Sequence, residues 1–164
     1  MIFIAIGANL PGDYGSPRRA CAVALGRLWA DDIALLKQSR WYETAPLPVS
    51  DQPWYVNAVI AVETTLTPSA LLHRLHALET AMGRVRREIN APRVIDLDLI
   101  DYRGQVSTDW PRLPHPRMTE RAFVLVPLAD IAPEWRHPVS GQSLNALLAD
   151  LPKDQQIRVL EDPP

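Results

Sequence analysis

The sequence has a single cysteine, no long apolar run and almost no excess of charge, and each shortage excludes a class of protein. Because Cys21 has no second cysteine to pair with, no intrachain disulfide can form, and we expect a reducing, cytoplasmic location. The apolar stretch 1–6 is too short for a signal core or a membrane span, so we expect no membrane association. A net charge of -2 argues against a surface built for duplex nucleic acid.

The rest of the composition is typical of a globular protein, with 47% hydrophobic and 22% charged residues. A chain of 164 residues is long enough to bury its own core, so we expect residues 1–164 to form one domain. We expect this domain to be a monomer. No internal repeat divides the chain.

The hydrophobic pattern predicts strands and helices in the order βαββαβ over residues 1–102. Strands are predicted over 2–6, 33–42, 55–63 and 93–102, and residues 43–48 are predicted not to continue a ladder. Ser16 and Thr67 each precede a proline and are predicted N-caps of two helices, which end at Asp31 and Gly83. This order is that of the α+β ferredoxin-like plait, an antiparallel sheet with two helices on one face.

Residues 103–164 are predicted to be helical and loop additions to that plait. The pattern predicts one helix over 118–130, disturbed by Pro127, and a short helix over 144–151 with Ser143 as its N-cap.

Acidic and apolar residues alternate along the last strand of the predicted plait. Asp96 and Asp98 share one face, while Ile95, Leu97 and Leu99 point the other way into a core. The two carboxylates lie roughly 6.5 Å apart along a strand, which suits a pair of hard cations. An isolated Asp-x-Asp is more often a solvated strand face. Four arginines immediately upstream favour a metal and phosphate site over a solvated strand face. They are Arg84, Arg86, Arg87 and Arg93. Acids for metals beside arginines for phosphates are what phosphoryl transfer needs.

Six segments resemble, in order, the motifs of the 6-hydroxymethyl-7,8-dihydropterin pyrophosphokinase family. They read IAIGANL at 4–10, DQPWYVN at 51–57, RVR at 84–86, APRVIDLDL at 91–99, PHPRM at 114–118 and RAF at 121–123. The resemblance covers nearly the whole chain to about residue 138. It implies a ferredoxin-like fold, which agrees with the element order. It also implies that the β,γ-pyrophosphoryl unit of ATP passes to the hydroxymethyl oxygen of a dihydropterin, giving AMP in folate biosynthesis.

The resemblance also implies the roles of individual residues. Two Mg²⁺ ions bound with ATP would be held by Asp96 and Asp98. The catalytic residues would be Arg84, Arg93, Asp96 and Asp98. The ATP side would comprise His76, Glu79, Arg84, Arg93, Leu99, His115 and Arg121. The pterin side would comprise Thr44, Leu47, Tyr55, Asn57 and Phe123, with the two rings stacking on the pterin and the amide reading its edge.

Some of these positions also have simpler interpretations. His76 and Glu79, one turn apart, fit an ordinary exposed helical pair. Some family members carry a tryptophan between Arg84 and Arg93, which this chain lacks. Residues 110–113 do not align with the ATP-side residues of those members, so adenosine contacts there stay unassigned. The loop 84–92 is predicted to act as a lid that closes when both substrates are bound.

Two other functions are compatible with the same element order. An RNA-binding module has this plait, but Asp96 and Asp98 would repel phosphate where such modules carry stacking and basic residues. Another two-metal enzyme, such as a nucleotidyl transferase or cyclase, would leave Tyr55, Asn57 and Phe123 without a role.

Overall fold

The computed structural model describes residues 1–29, 32–84 and 92–161. Its strands are β1 Ile2–Ala8, β2 Ile33–Gln38, β3 Tyr42–Thr44, β4 Tyr55–Thr64, β5 Asp96–Tyr102 and β6 Ile157–Val159. Its helices are α1 Pro17–Trp29, α2 Pro68–Ala81, α3 Ala122–Ile131 and α4 Leu144–Ala149. Within these ranges no helix has both the length and the apolar character needed to cross a membrane.

The six strands form one antiparallel sheet in the order β5-β1-β4-β3-β6, with β2 also paired to β4. The long strand β4 pairs with β1 along one edge, and its other edge is divided between β3 and β2. The predicted ferredoxin-like plait is therefore confirmed, with β1 and β4 at its centre.

Strand β1 separates two hydrophobic cores because its side chains alternate between the two faces of the sheet. Ile2, Ile4 and Ile6 pack with α1 and α2, as predicted for two helices on one face. Phe3 and Ala5 pack on the opposite face with α3 and α4, so the C-terminal additions form a second layer.

Hydroxyl side chains start three helices where the sequence predicted them. Thr67 Oγ1 accepts a hydrogen bond from the main-chain N–H of Ala70 at 3.2 Å, and Pro68 follows it. The equivalent bonds at the other two helices join Arg19 N to Ser16 Oγ at 3.1 Å and Ala146 N to Ser143 Oγ at 3.2 Å.

The predicted strand 33–42 is wrong in extent, because two strands occupy this region. β2 ends at Gln38, where the Ser39 hydroxyl accepts the N–H of Val59 at 3.0 Å and so takes a main-chain donor of β4. The prediction that residues 43–48 do not pair is wrong for Glu43 and Thr44, which lie in β3 before the first proline of the loop.

The region 118–131 holds a short 3-10 turn and a helix instead of one continuous helix. Arg121 adopts extended backbone angles, φ -116° and ψ 108°, between the turn Met118–Glu120 and α3. Pro127 lies inside α3 without ending it. The last predicted helix ends at Ala149, strand β5 begins at Asp96, and β6 was not predicted. Most of the predicted lid, residues 85–91, lies outside the described residues.

Candidate active site

A cavity of about 430 Å³ opens at one end of the sheet, on the face that carries α3. Its size suits a small-molecule ligand. Strands β1, β4 and β5 form its floor, and the loops after β3 and before α3 form its walls. The cavity is lined by ten of the residues that the sequence implicated, namely Thr44, Leu47, Tyr55, Asn57, Arg93, Asp96, Asp98, His115, Arg121 and Phe123.

Strand register brings the acidic residues and the amide to the same floor. Gly7 of β1 lies opposite Asn57 of β4 on one side and Asp96 of β5 on the other. Asp96 and Asp98 line the cavity, whereas Leu97 is buried on the opposite face, in the core that packs with α1 and α2. The alternation predicted for this strand is therefore confirmed.

Gly7 leaves the space that the Asn57 side chain occupies. A Cβ atom added at Gly7 would lie 2.6 Å from Asn57 Nδ2. The Asn57 amide is also held from the far side, because its Oδ1 accepts a hydrogen bond from Thr44 Oγ1 at 2.5 Å. Gly7 lies in a segment that matched the family motifs, yet sequence reasoning gave it no role.

Both oxygens of Asp96 are paired with arginine. Arg84 Nη1 lies 2.7 Å from Asp96 Oδ1, and Arg93 Nη1 lies 2.8 Å from Oδ2. Arg84 also forms a close ion pair with Glu79, which accepts the N–H of Leu97 at 2.8 Å. Burial would lower the pKa of Arg84, but Asp96 and Glu79 outweigh it and raise that pKa. Glu79 is only 1% exposed, so its interpretation as part of an exposed helical pair is wrong.

Asp98 is less fully compensated than Asp96. Its ion pair with Arg121 Nη1 is long, at 3.7 Å. Burial and the neighbouring charge of Asp96 raise the pKa of Asp98 to about 7, against the weaker opposing effect of Arg121. Negative charge at Asp98 therefore lacks a close counter-charge among the described residues.

The donor set fits Mg²⁺ that arrives with phosphate. Mg²⁺ commonly takes one or two carboxylates and completes its shell with phosphate oxygens and water. Asp96 and Asp98 supply two carboxylates on one face, and the described ranges contain no cluster of three or more acidic, histidine or cysteine ligands. The site therefore suits a metal–nucleotide complex better than an all-protein metal cage.

The buried side chain of Asn9 anchors the main chain of Arg93. It is 1% exposed, and its Oδ1 accepts the main-chain N–H of Arg93 at 2.8 Å. Its Nδ2 donates to Gln52 Oε1 at 3.0 Å and to the Pro53 carbonyl at 3.1 Å. This buried amide links the loop 51–53 to an arginine of the site. Asn9 and Gln52 lie in matched segments, and the need of a buried amide for partners could have identified them.

His115 is held neutral at the wall of the cavity. Burial, with Arg121 nearby, lowers its pKa to about 4. Its Nδ1 accepts the main-chain N–H of Arg117 at 3.2 Å, and its own main-chain N–H donates to the Ile100 carbonyl at 2.8 Å. In the neutral ring the proton is therefore on Nε2, which can donate to a ligand.

Four implicated residues lie outside the cavity lining. Arg84 is paired with Asp96 on one side and with Glu79 on the other. Leu99 is 3% exposed in the core that packs with α1 and α2, so its side chain cannot contact a nucleotide. His76 lies on α2 beside Trp110, with ring centroids 6.5 Å apart. The Trp110 ring lies closer to His73, at 4.8 Å.

The sequence of the chain matches the model of one protein family. The model of 7,8-dihydro-6-hydroxymethylpterin-pyrophosphokinase matches residues 3–133. The chain belongs to this family. It is 40% identical over 151 residues to 2-amino-4-hydroxy-6-hydroxymethyldihydropteridine pyrophosphokinase of Methylorubrum extorquens, and 42% identical over 154 residues to that of Pseudomonas aeruginosa. These alignments cover 91% and 92% of the chain.

The extent of the match differs among the relatives. The chain spans 92% and 91% of the two bacterial proteins, but 19% of the folic acid synthesis protein fol1 of Pneumocystis carinii, to which it is 39% identical over 87% of its own length. The wild-type HPPK-DHPS structure of Plasmodium falciparum covers 90% of the chain with a TM-score of 0.67 and 13% identity, and the chain covers 44% of it. That likeness concerns the fold.

Family membership fixes the reaction class. The domain is an ATP-dependent pyrophosphokinase of folate synthesis, which transfers a pyrophosphoryl group from ATP to hydroxymethyldihydropterin. The RNA-binding alternative is not favoured.

Replacing Gly7 by alanine tests the floor of the cavity. The added Cβ would displace the Asn57 amide from its position beside Thr44, so we expect the KM for the pterin to rise at least about tenfold with little change in the KM for ATP. Gly26→Ala is the matched control, because a Cβ there meets nothing within 4 Å. Unchanged pterin kinetics in Gly7→Ala would contradict this reading of the floor.

The neutral state of His115 predicts a dependence of stability on pH. The folded pKa of about 4 lies below the unfolded value of 6.5, so the unfolded chain binds a proton first as the pH falls. We expect the wild-type free energy of unfolding to fall more steeply than that of His115→Gln between pH 6.5 and 4. Urea unfolding at several pH values measures both slopes, and equal slopes would show that His115 contributes nothing.

Proposed function

We propose that the pterin enters the aromatic end of the cavity and the ATP phosphates lie at its charged end, over Asp96 and Asp98. The observation that carries this proposal is that one cavity joins two carboxylates, three arginines and two aromatic rings. In such an arrangement the hydroxymethyl oxygen of the pterin would face the β-phosphate. Both reactants would then be held for direct transfer.

At the aromatic end, Tyr55 and Phe123 are proposed to stack on the two faces of the pterin ring. The Asn57 amide, which Thr44 holds at Oδ1, would pair with the edge of the heterocycle. Main-chain groups of Thr44 and Leu47 would complete that edge. A flat, polar-edged ligand is what such a combination recognises.

At the charged end, Arg84, Arg93, His115 and Arg121 are proposed to contact phosphate oxygens. Guanidinium groups bind phosphate through paired donors, and neutral His115 would add the N–H of Nε2. Because Arg84 and Arg93 both pair with Asp96, a phosphate must compete with this carboxylate for them. Charge that develops on the phosphate during transfer would strengthen its side of that competition.

The remaining ATP-side residues are assigned supporting positions. Glu79 would orient Arg84 without meeting the nucleotide, since the two residues form a buried ion pair. Leu99 could meet ATP only through its main chain. His76, beside Trp110, would lie on the side of α2 that faces the nucleotide.

Asp96 and Asp98 are proposed to hold two Mg²⁺ ions with the triphosphate. Such ions would neutralise charge on the bridging phosphate oxygens during transfer. Asp98 suits this role because its charge lacks a close counter-charge in the described part of the chain.

We further propose that residues 1–164 form a single domain that acts as a monomer in the cytoplasm and binds no nucleic acid. The net charge of -2 and the acidic pair on the cavity floor support the absence of nucleic acid.

A product assay tests the proposed reaction. We expect AMP to form from ATP only when a hydroxymethyl-dihydropterin is present, and to form in equal amount with the pterin diphosphate. Formation of ADP, or of AMP without pterin, would refute it. A nucleotidyl transferase would instead release inorganic pyrophosphate.

The two aspartates should differ in their effect on stability. We expect Asp96→Asn and Asp98→Asn each to lower turnover at least about a thousandfold at saturating Mg²⁺. Asp98→Asn should raise the free energy of unfolding, because it removes repulsion from Asp96. Asp96→Asn should lower it, because Arg84 and Arg93 each lose an ion-pair partner. Asp109→Asn, at an exposed position, is the control for both assays.

Arg93 should contribute mainly to the transition state. We expect Arg93→Ala to lower kcat by about 10²–10³-fold with a much smaller change in the dissociation constant of ATP. Arg27→Ala, an exposed substitution on α1, should leave both quantities unchanged. A variant of Arg93 that only weakened ATP binding would indicate ground-state binding instead.

A further inference from the structure

The C-terminal segment 154–160 lies beyond the residues that match the family model, yet it supports two walls of the cavity. Its strand β6 pairs with β3, and the Gln156 carbonyl accepts the N–H of Ala45 at 3.1 Å. Thr44 and Ala45 belong to the wall on the pterin side. The segment therefore stands directly behind that wall.

The side chain of Gln155 reaches the second wall, at the start of α3. Its Oε1 accepts the N–H of Ala122 at 2.9 Å, and its Nε2 donates to the Glu120 carbonyl at 2.7 Å. The two partners fix the orientation of the amide, since one can only donate and the other can only accept. Gln155 therefore spans the residue between them, Arg121.

Arg121 is the N-cap residue of α3, and its side chain makes no capping hydrogen bond there. An N-cap is normally a short polar residue whose side chain accepts a helical N–H. Here the side chain at this position extends into the cavity, 3.7 Å from Asp98 Oδ2. Gln155 supplies an acceptor for the first N–H of the helix. The side chain of Arg121 is therefore not needed as a cap and can extend into the cavity.

The turn that Gln155 holds also positions an aromatic wall. Phe123 lines the cavity one residue after Ala122, and the Arg121 guanidinium lies 5.4 Å from the centroid of its ring. A shift of this turn would move the cationic and the aromatic side chains together.

We propose that Gln155 is a positioning residue for pyrophosphoryl transfer, which acts by fixing the turn that carries Arg121 and Phe123. This inference rests on the proposed roles of those two residues. It assigns a part in substrate binding to the C-terminal segment.

Gln155→Ala and Gln156→Ala form a matched pair for the test. The neighbouring Gln156 side chain is exposed, and its hydrogen bond to Ala45 comes from the main chain, so its removal should be silent. We expect Gln155→Ala to raise the KM for the pterin about tenfold, from the loss of two hydrogen bonds. Gln155→Glu keeps the acceptor for Ala122 and should recover part of that loss. It also serves if the alanine variant folds poorly.

Two further measurements separate positioning from general destabilisation. Ser143→Ala removes the N-cap of α4 and should lower stability without changing the pterin KM. In a Phe123→Leu background, the effect of Gln155→Ala on pterin binding should shrink to less than about twofold, because both changes act on one wall.

The outcomes are distinguishable from failure of the proposed function. If the wild-type protein forms no AMP with ATP and the pterin, the proposed function fails first. If it is active but Gln155→Ala matches Gln156→Ala, the positioning role is wrong. An equal fall in kcat for Gln155→Ala and Ser143→Ala with unchanged KM values, or full additivity with Phe123→Leu, would also overturn it.

Discussion

The buried ion-pair chain from Glu79 through Arg84 to Asp96 is the interaction on which the active site depends. A carboxylate as buried as Glu79 is stable only when its charge is paired and its oxygens are hydrogen-bonded. Arg84 and the Leu97 N–H meet that need. In doing so they tie the end of α2 to β5 at the position of Asp96. The packing of α2 on the sheet and the placement of the acidic pair therefore depend on the same contacts.

The two carboxylates of the cavity are neutralised to different extents. Among the described residues, Asp96 is neutralised by two arginines, whereas Asp98 has one longer ion pair, with Arg121. A metal–nucleotide complex would bring cations for Asp98 and phosphates for the arginines at the same time. The site thus suits a ligand that carries both charges, and suits neither a free metal ion nor a free anion as well. This difference in pairing is the reason that we expect the two carboxylates to differ in their effect on stability despite their shared face.

Local patterns predicted much of this architecture, whereas contacts between distant residues were not visible in them. The alternation from Ile95 to Leu99 and the cap at Thr67 depend on neighbours in the sequence, so both were predicted correctly. The break at Ser39 depends on a hydroxyl that competes for a main-chain donor of another strand. The bond between Gln155 and Ala122 joins residues 33 positions apart, which no periodicity reveals. The burial of Glu79 depends likewise on Arg84 and Asp96, because helical spacing alone suits solvent equally well.

Strand β5 forms one edge of the sheet, which is normally a place where chains can associate. Two of its main-chain groups are already occupied, because Glu79 accepts the N–H of Leu97 and the N–H of His115 donates to the carbonyl of Ile100. An incoming strand from another molecule would have to displace a buried carboxylate and a wall of the cavity. The side chain of Glu79 and the main chain of His115 therefore also hinder the pairing of another chain with this edge of the sheet.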